Sequence, residues 1–252
     1  MEPAEYATLH DYETWYWWYR AQRAVLLDAV ASLHLRAGAR LLDVGCGTGR
    51  CLEAIGRIAD VRAFGFDFSP HAAAWWSDHR RDRRCLGSAN EIPFAAESFD
   101  AVVTVDVVYC REVDPPAAVA QIASVLRPGG RLVIIVPAYE WLRSSHDDAV
   151  HGVHRFTRGT LRRLLEAAGL EVARLTHFSA ALFPAIAPVR LIRKLGCSKN
   201  GNGQAPPPSD LRPLPGWLNR GLLSIALAER RLVRHVDLPF GSSILGIARK
   251  AE

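Results

Sequence analysis

The sequence has no apolar run long enough to cross a membrane as a helix, which takes about 20 residues. Its nearest approach, Phe178 to Val189, is short and broken by Pro184 and Pro188. It also lacks paired cysteine spacing: Cys46, Cys51, Cys85, Cys110 and Cys197 form no CxxC motif, and an odd count of five argues against a secreted disulfide framework. The first residues, with Glu2, Glu5, Asp11 and Glu13, have neither the basic start nor the apolar core of a signal peptide. No internal repeat is visible. These absences make a cytoplasmic protein the expectation.

What is present is enough apolar material for one main domain: 252 residues, 49% of them hydrophobic. The formal charge of +5 favours anionic partners only in general. Scattered arginines and nine histidines do not make a nucleic-acid footprint, so no nucleic-acid partner is expected.

Aromatic residues crowd the first 37 positions, with Tyr6, Tyr12 and the run Trp15 to Tyr19 leading into RAQRAVLLDAVASLHL, an N-terminal helical cap. Over 38–177 short apolar runs alternate with helix-like stretches: ARLLDVG, VRAFGFD, FDAVVTVDVVY and GRLVIIVP, bounded by turn residues such as Gly38, Ser69-Pro70 and Pro128-Gly129-Gly130. Continuous Val/Ile/Leu runs of this kind predict an α/β fold whose mostly parallel sheet is covered on both faces. Thr157 caps a predicted amphipathic helix with Leu161, Leu164 and Leu165 on one stripe and Gly169 as its stop. A strand is predicted around Leu170 to Thr176. The remaining residues, 178–252, form an extension with a Gly/Pro-rich flexible loop over 196–216, a helix from Trp217 and a last strand at SSILGIARK.

The chemistry concentrates in LLDVGCGTGR, Leu41 to Arg50. Glycines there let the chain leave a strand sharply and approach a ligand closely. The spacing Asp43, Gly45, Gly47, Gly49 is G-x-G-x-G after an acid, unlike the G-x-G-x-x-G of dinucleotide folds. Asp67 ends the second apolar run, where a carboxylate would accept both hydroxyls of a ribose. Its competing role is to cap a helix starting at Ser69 and Pro70.

Together, LLDVGCGTG, GFDFSP, IPFAAESFDAVV and VLRPGGRLVI resemble the class I S-adenosylmethionine-dependent methyltransferase family, over residues 38 to about 176. Trp17, Trp18, Tyr19 and Arg23 are similar to the aromatic cap of a bacterial, type 11/12-like subgroup. The resemblance implies a Rossmann-like, seven-stranded sheet and S-adenosyl-L-methionine as cofactor. By that likeness Asp43, Gly45, Cys46, Gly47 and Gly49 hold its methionine and ribose part, and Asp67 takes the ribose hydroxyls. Phe68, Ser88, Ala89 and Asn90 surround the adenine; Val105 flanks the cofactor, and Tyr19 and Arg23 sit near its carboxylate or the acceptor. Many relatives carry an Asp where this chain has Ser88, whose hydroxyl accepts less strongly; Asn90 is placed to compensate.

Methyl transfer needs an acceptor lone pair aligned with the methyl and, where a proton must leave, a base. Candidates lie after the fourth strand, with Asp106, Tyr109 and Cys110, and after the fifth, with Tyr139, His146, Asp147, Asp148, His151, His154 and Arg155. His146 and His151 are the first choices for a base, since histidine titrates near neutrality; Asp106 and Tyr139 stand beside them. Solvated loop residues are the competing reading for the histidines, and anchoring for His154 and Arg155. No compact two-histidine helical motif supports a metal, so none is expected. The basic, apolar-interleaved extension, with Arg190, Arg193, Lys194, Arg230, Arg231 and Arg234, is read as a packed and solvated helix face, with membrane or lipid-like acceptor contact and homodimer contact as alternatives. The expected activity is methyl transfer to an oxygen or nitrogen of a small-molecule acceptor, by a monomer or homodimer. RNA- or protein-directed transfer and non-catalytic cofactor binding are the alternatives.

Overall fold

The sheet begins where the apolar runs begin: β1 (Ala39–Val44), β2 (Val61–Asp67), β3 (Arg84–Leu86), β4 (Phe99–Val105) and β5 (Leu126–Pro137). These five pair in parallel, and β7 (Ser243–Lys250) lies antiparallel between β5 and β6 (Leu170–Phe178). The order is β3-β2-β1-β4-β5-β7-β6, the class I methyltransferase arrangement. The computed structural model describes residues 3–58, 60–76, 83–144, 147, 150–185, 187–188 and 213–252. The flexible loop expected over 196–216 lies, up to residue 212, outside the described residues.

Side chains alternate across the sheet, so each strand feeds two cores. Leu42, Val44, Val102 and Ile134 face one cluster, shared with α5 (Pro115–Val125) and α6 (Arg158–Ala167). Leu41, Ala101, Val103 and Val133 face the other, closed by Val25, Leu26, Ala29 and Val30 of α2 (Trp17–Ala31) and Ile55 of α3 (Arg50–Ile58). Leu26 and Leu41 are fully buried, and each such leucine contributes roughly 1.5–3 kcal/mol.

Helix ends follow their chemistry. Thr157 caps α6 with a reciprocal box to Thr160, and Ser69 Oγ accepts from His71 N to start α4 (Pro70–Ala73). Tyr16, before α2, has no capping side chain. A distant residue does that work: Asn219 of α7 (Gly216–Val233) accepts from Trp17 N at 2.9 Å and donates to Trp15 O at 2.9 Å. Arg230 of α7 grips both carboxylate oxygens of Asp28 on α2. Part of the extension's basic face is therefore spent inside the molecule, while Arg190, Arg193 and Lys194 lie outside the described residues. Among the described residues no helix is long and apolar enough to cross a membrane.

Chain direction determines where a site forms. From the central pair β1 and β4, the connections run outward to β2 on one side and β5 on the other, leaving a crevice at the strands' carboxyl ends. The cap helices α1 (Pro3–Tyr12) and α2 carry residues that line it.

Candidate active site

Three glycines leave β1 with positive φ, and each has its own reason to lack a side chain: Gly45 (φ 72°), Gly47 (53°) and Gly49 (86°). A Cβ on Gly45 would lie 2.3 Å from Val107 Cγ2, inside the loop after β4. On Gly49 it would lie 2.8 Å from the guanidinium carbon of Arg84. On Gly47 it would meet nothing closer than Leu9 Cδ2 at 3.8 Å, so the bare backbone of Gly47 faces open cavity. The turn is held by Gly45 and Cys46 N–H groups donating to Phe66 O, both at 2.9 Å, and by Trp76 Nε1 donating to Gly47 O at 2.8 Å.

At the end of β2, Asp67 accepts from Gly47 N (2.8 Å), Ser69 N (3.0 Å) and, at 3.3 Å, the Tyr6 hydroxyl of α1. Burial raises its carboxyl above the ordinary value, against the pull of those donors. The capping role that competed for Asp67 is filled by Ser69. Beneath the turn, Asp43 is pushed up to about 7 by burial and then by the charge of Asp67, with Arg84 opposing.

The opposite wall comes from β4 and the cap. Asp106 is a non-glycine residue at φ 54°, anchored by its N–H to Ile135 O at 3.0 Å. Its Oδ2 accepts from Gln22 Nε2 of α2 at 2.7 Å. Burial pushes its carboxyl up to about 6, with Gln22 and Arg155 pulling down and Asp147 pushing up. Tyr109 lies beside it, its ring seated over Gly152, where a Cβ would come within 2.3 Å. Its phenol is driven well above the ordinary range, chiefly by burial and then by Asp106.

These walls enclose a cavity of about 260 Å³. It gathers Asp43, Gly45, Cys46, Gly47, Asp67 and Phe68 on the β1–β2 side, Ser88 and Ala89 below, Val105 and Asp106 from β4, and Tyr19 and Arg23 from the cap. Leu9, Glu13 and Gln22 join them without having been expected there from the sequence, as do Tyr6 and Trp18 of the aromatic cap. Glu13 accepts from Thr48 Oγ at 2.8 Å on both oxygens, and its backbone carbonyl accepts from Arg23 Nη1 at 2.9 Å. Gln22 was within reach of sequence reasoning: Trp18, Tyr19, Gln22, Arg23 and Leu26 share one helical face.

Other expected residues are placed elsewhere. Gly49 makes room for Arg84 and does not line the cavity. The Asn90 side chain braces a loop, donating to Glu112 O at 3.0 Å and accepting from Asp114 N at 2.9 Å. Tyr139, at φ 58°, stacks on His177 and Trp141, away from the cavity lining. His151 does not line the cavity either; its Nδ1 lies 3.1 Å from Oε1 of Glu112, which does. His146 and Asp148 lie outside the described residues. Asp147, one of the candidates after the fifth strand, is consumed by a buried ion pair with Arg155, 2.8 Å at its shortest. Among the described residues no cluster of three His, Cys, Asp or Glu side chains is arranged to hold a metal.

The donor set fits a nucleoside carrying an amino-acid tail. An open backbone cradle at Gly47 shares the cavity with the Asp67 carboxylate, an exposed aromatic, Phe68, and an arginine, Arg23. A family model described as a methyltransferase domain matches residues 16–175, so the chain belongs to the methyltransferase domain family, class I and S-adenosylmethionine-dependent. It is 30% identical over 138 residues to 24-methylenesterol C-methyltransferase 2 of Oryza sativa subsp. japonica, covering 49% of this chain and 37% of that protein. It is 35% identical over 104 residues to the O-methyltransferase rstn1 of Aspergillus nomiae, covering 38% and 46%. The chain thus spans about half or less of the curated relatives it matches. Among solved structures it is similar to the [4+2]-cyclase SpnF, at a TM-score of 0.57 and 23% identity over 90% of this chain and 80% of that one. That likeness is one of fold alone.

Proposed function

We propose that this chain transfers a methyl group from S-adenosylmethionine to an oxygen or nitrogen of a small-molecule acceptor. The observation that carries the reading is the shared cavity: the glycine turn and Asp67 form one wall and the Asp106 carboxyl the other. When bound there, the cofactor supplies a methyl group on a sulfonium, already a strong electrophile.

The protein's task is then binding, alignment and proton removal. Gly47 admits the cofactor against bare backbone, with Gly45 in the same lining, and Val105 flanks it. Asp67 offers about four lone-pair sites, of which two are held by backbone N–H groups and a third by the long Tyr6 contact. The free site and the one Tyr6 holds would be those available to ribose hydroxyls. Phe68 covers the adenine, Ser88 and Ala89 meet its edge, and Tyr19 and Arg23 attend the carboxylate end. Asp106 replaces His151 and Tyr139 as the proton acceptor, because of these three it alone lines the cavity.

The test is to incubate the protein with S-adenosylmethionine and pooled small-molecule acceptors and to follow masses one methyl heavier. Products that disappear in Asp106→Asn while S-adenosylhomocysteine still binds support the assignment. Cofactor binding with no methylated product in any pool favours the alternative raised by a cyclase on the same fold, a cofactor-holding protein with other work.

A further inference from the structure

The cavity's charges are unevenly committed. Glu13 is bound by Thr48 and lies 3.5 Å from Arg50, Asp67 is engaged at the turn, and Asp43 sits beneath the turn near Arg84. Of the lining cations, Arg23 and Arg50 both turn toward Glu13. Negative charge is left over at the β4 end. Asp106 spends Oδ2 on Gln22, and its Oδ1 has no hydrogen-bond partner among the described residues. Glu112 lines the same end, held below the usual carboxylate range: burial works against that, but its own backbone N–H and His151 prevail. The cavity lining also carries aromatic side chains, Trp18, Tyr19 and Tyr109, of the kind that suit a cation.

We infer that the acceptor is a primary or secondary amine that enters as its ammonium ion, paired to Asp106 Oδ1, with Glu112 at the mouth. The inference rests on the methyl-transfer reading above and narrows it. In the step, the ammonium gives one proton to Asp106. The freed nitrogen lone pair forms the N–C bond while the C–S bond breaks and its electron pair stays on sulfur. The product leaves as a methylated ammonium, and Asp106 returns its proton to water.

Proton affinity separates amines from alcohols. An alkylammonium titrates near 10.4, so a carboxylate near 6 takes its proton against about four powers of ten. A hydroxyl as weakly acidic as water, near 15.7, demands about ten. A phenol is as acidic as an ammonium, with a value of about 10, but the phenolate it becomes is repelled by Asp106 and Glu112. The ammonium is drawn to both.

The test titrates the S-adenosylhomocysteine-saturated protein with benzylamine and with benzyl alcohol at a pH of about 7.5. The amine binds at least about tenfold more tightly, and Asp106→Asn removes that preference while S-adenosylhomocysteine affinity stays within about threefold. Glu112→Gln, at an exposed position that does not threaten folding, lowers the preference by about two- to fivefold. Equal binding of the two probes overturns the inference, as does an Asp106→Asn variant that loses cofactor binding in parallel, which would assign the carboxylate to the cofactor. Methylated alcohols or phenols without methylated amines overturn it while methyl transfer stands. Failure of S-adenosylhomocysteine to bind removes the underlying reading as well.

Discussion

The side-chain amide of Gln22 donates to Asp106 across 2.7 Å, tying the second cap helix to the end of β4 at the point where the chain is held at positive φ. A non-glycine residue kept there costs on the order of 1–3 kcal/mol and persists only when its surroundings hold it. Gln22 is one such restraint, and it also lowers the carboxyl's proton affinity against the larger effect of burial.

Asp106 predicts an acid limb in kcat/KM with a midpoint near its value of about 6. Activity rises as the pH passes through that value, because the deprotonated form does the work. Asp106→Asn lowers kcat/KM by about a hundredfold or more, within the range of general-base catalysis, and abolishes the limb. A pH–rate profile of both proteins checks this.

Gln22→Leu removes a donor that pulls the Asp106 carboxyl down. The same limb should move to higher pH, by about one to two units for one lost hydrogen bond to a charged group. An unchanged limb would separate Gln22 from Asp106 function.

Asp106→Asn should also stabilise the protein at a pH of about 8. A carboxyl raised in the folded state stabilises below its ordinary value of about 3.9 and loses that contribution as the pH rises through about 6. The gain, about 3 kcal/mol at pH 8 from a shift of about two units, should vanish near pH 4. Thermal melts across that interval measure it.

Gly49→Ala should cost at least about 2 kcal/mol, from strain at φ 86° and from a Cβ 2.8 Å from the Arg84 guanidinium. Arg84 is fully buried, with none of its three side-chain nitrogens hydrogen-bonded in the structure. Arg84→Ala added to Gly49→Ala should therefore recover the steric share and leave the backbone strain. Denaturant melts of the four proteins of that cycle give the coupling.

Legibility in the sequence followed distance along the chain. The apolar runs, the glycine turn and Asp67 announce themselves within a few residues, because strand burial and turn geometry are local demands. Tyr6 against Asp67, Glu13 against Thr48 and Gln22 against Asp106 join residues far apart in the chain and leave no periodic trace. Tyr139 shows the limit of placing residues by strand ends alone. It follows β5 as expected, but its φ of 58° and the Ala138–Phe156 bridge accompany a ring packed on His177. Arg155 gave its anchoring role more openly, standing just before the helix it helps seat through Asp147 and Ala138 O.

Calorimetric titration of the wild-type protein and Asp67→Ala with S-adenosylmethionine decides whether Gly45 to Thr48 and Asp67 bind the cofactor. The expected result is one cofactor bound per chain, weakened about thirtyfold or more in Asp67→Ala through loss of charge-assisted hydrogen bonds each worth about 1.5–3 kcal/mol. No binding by the wild-type protein, or equal binding by a folded Asp67→Ala, would contradict it.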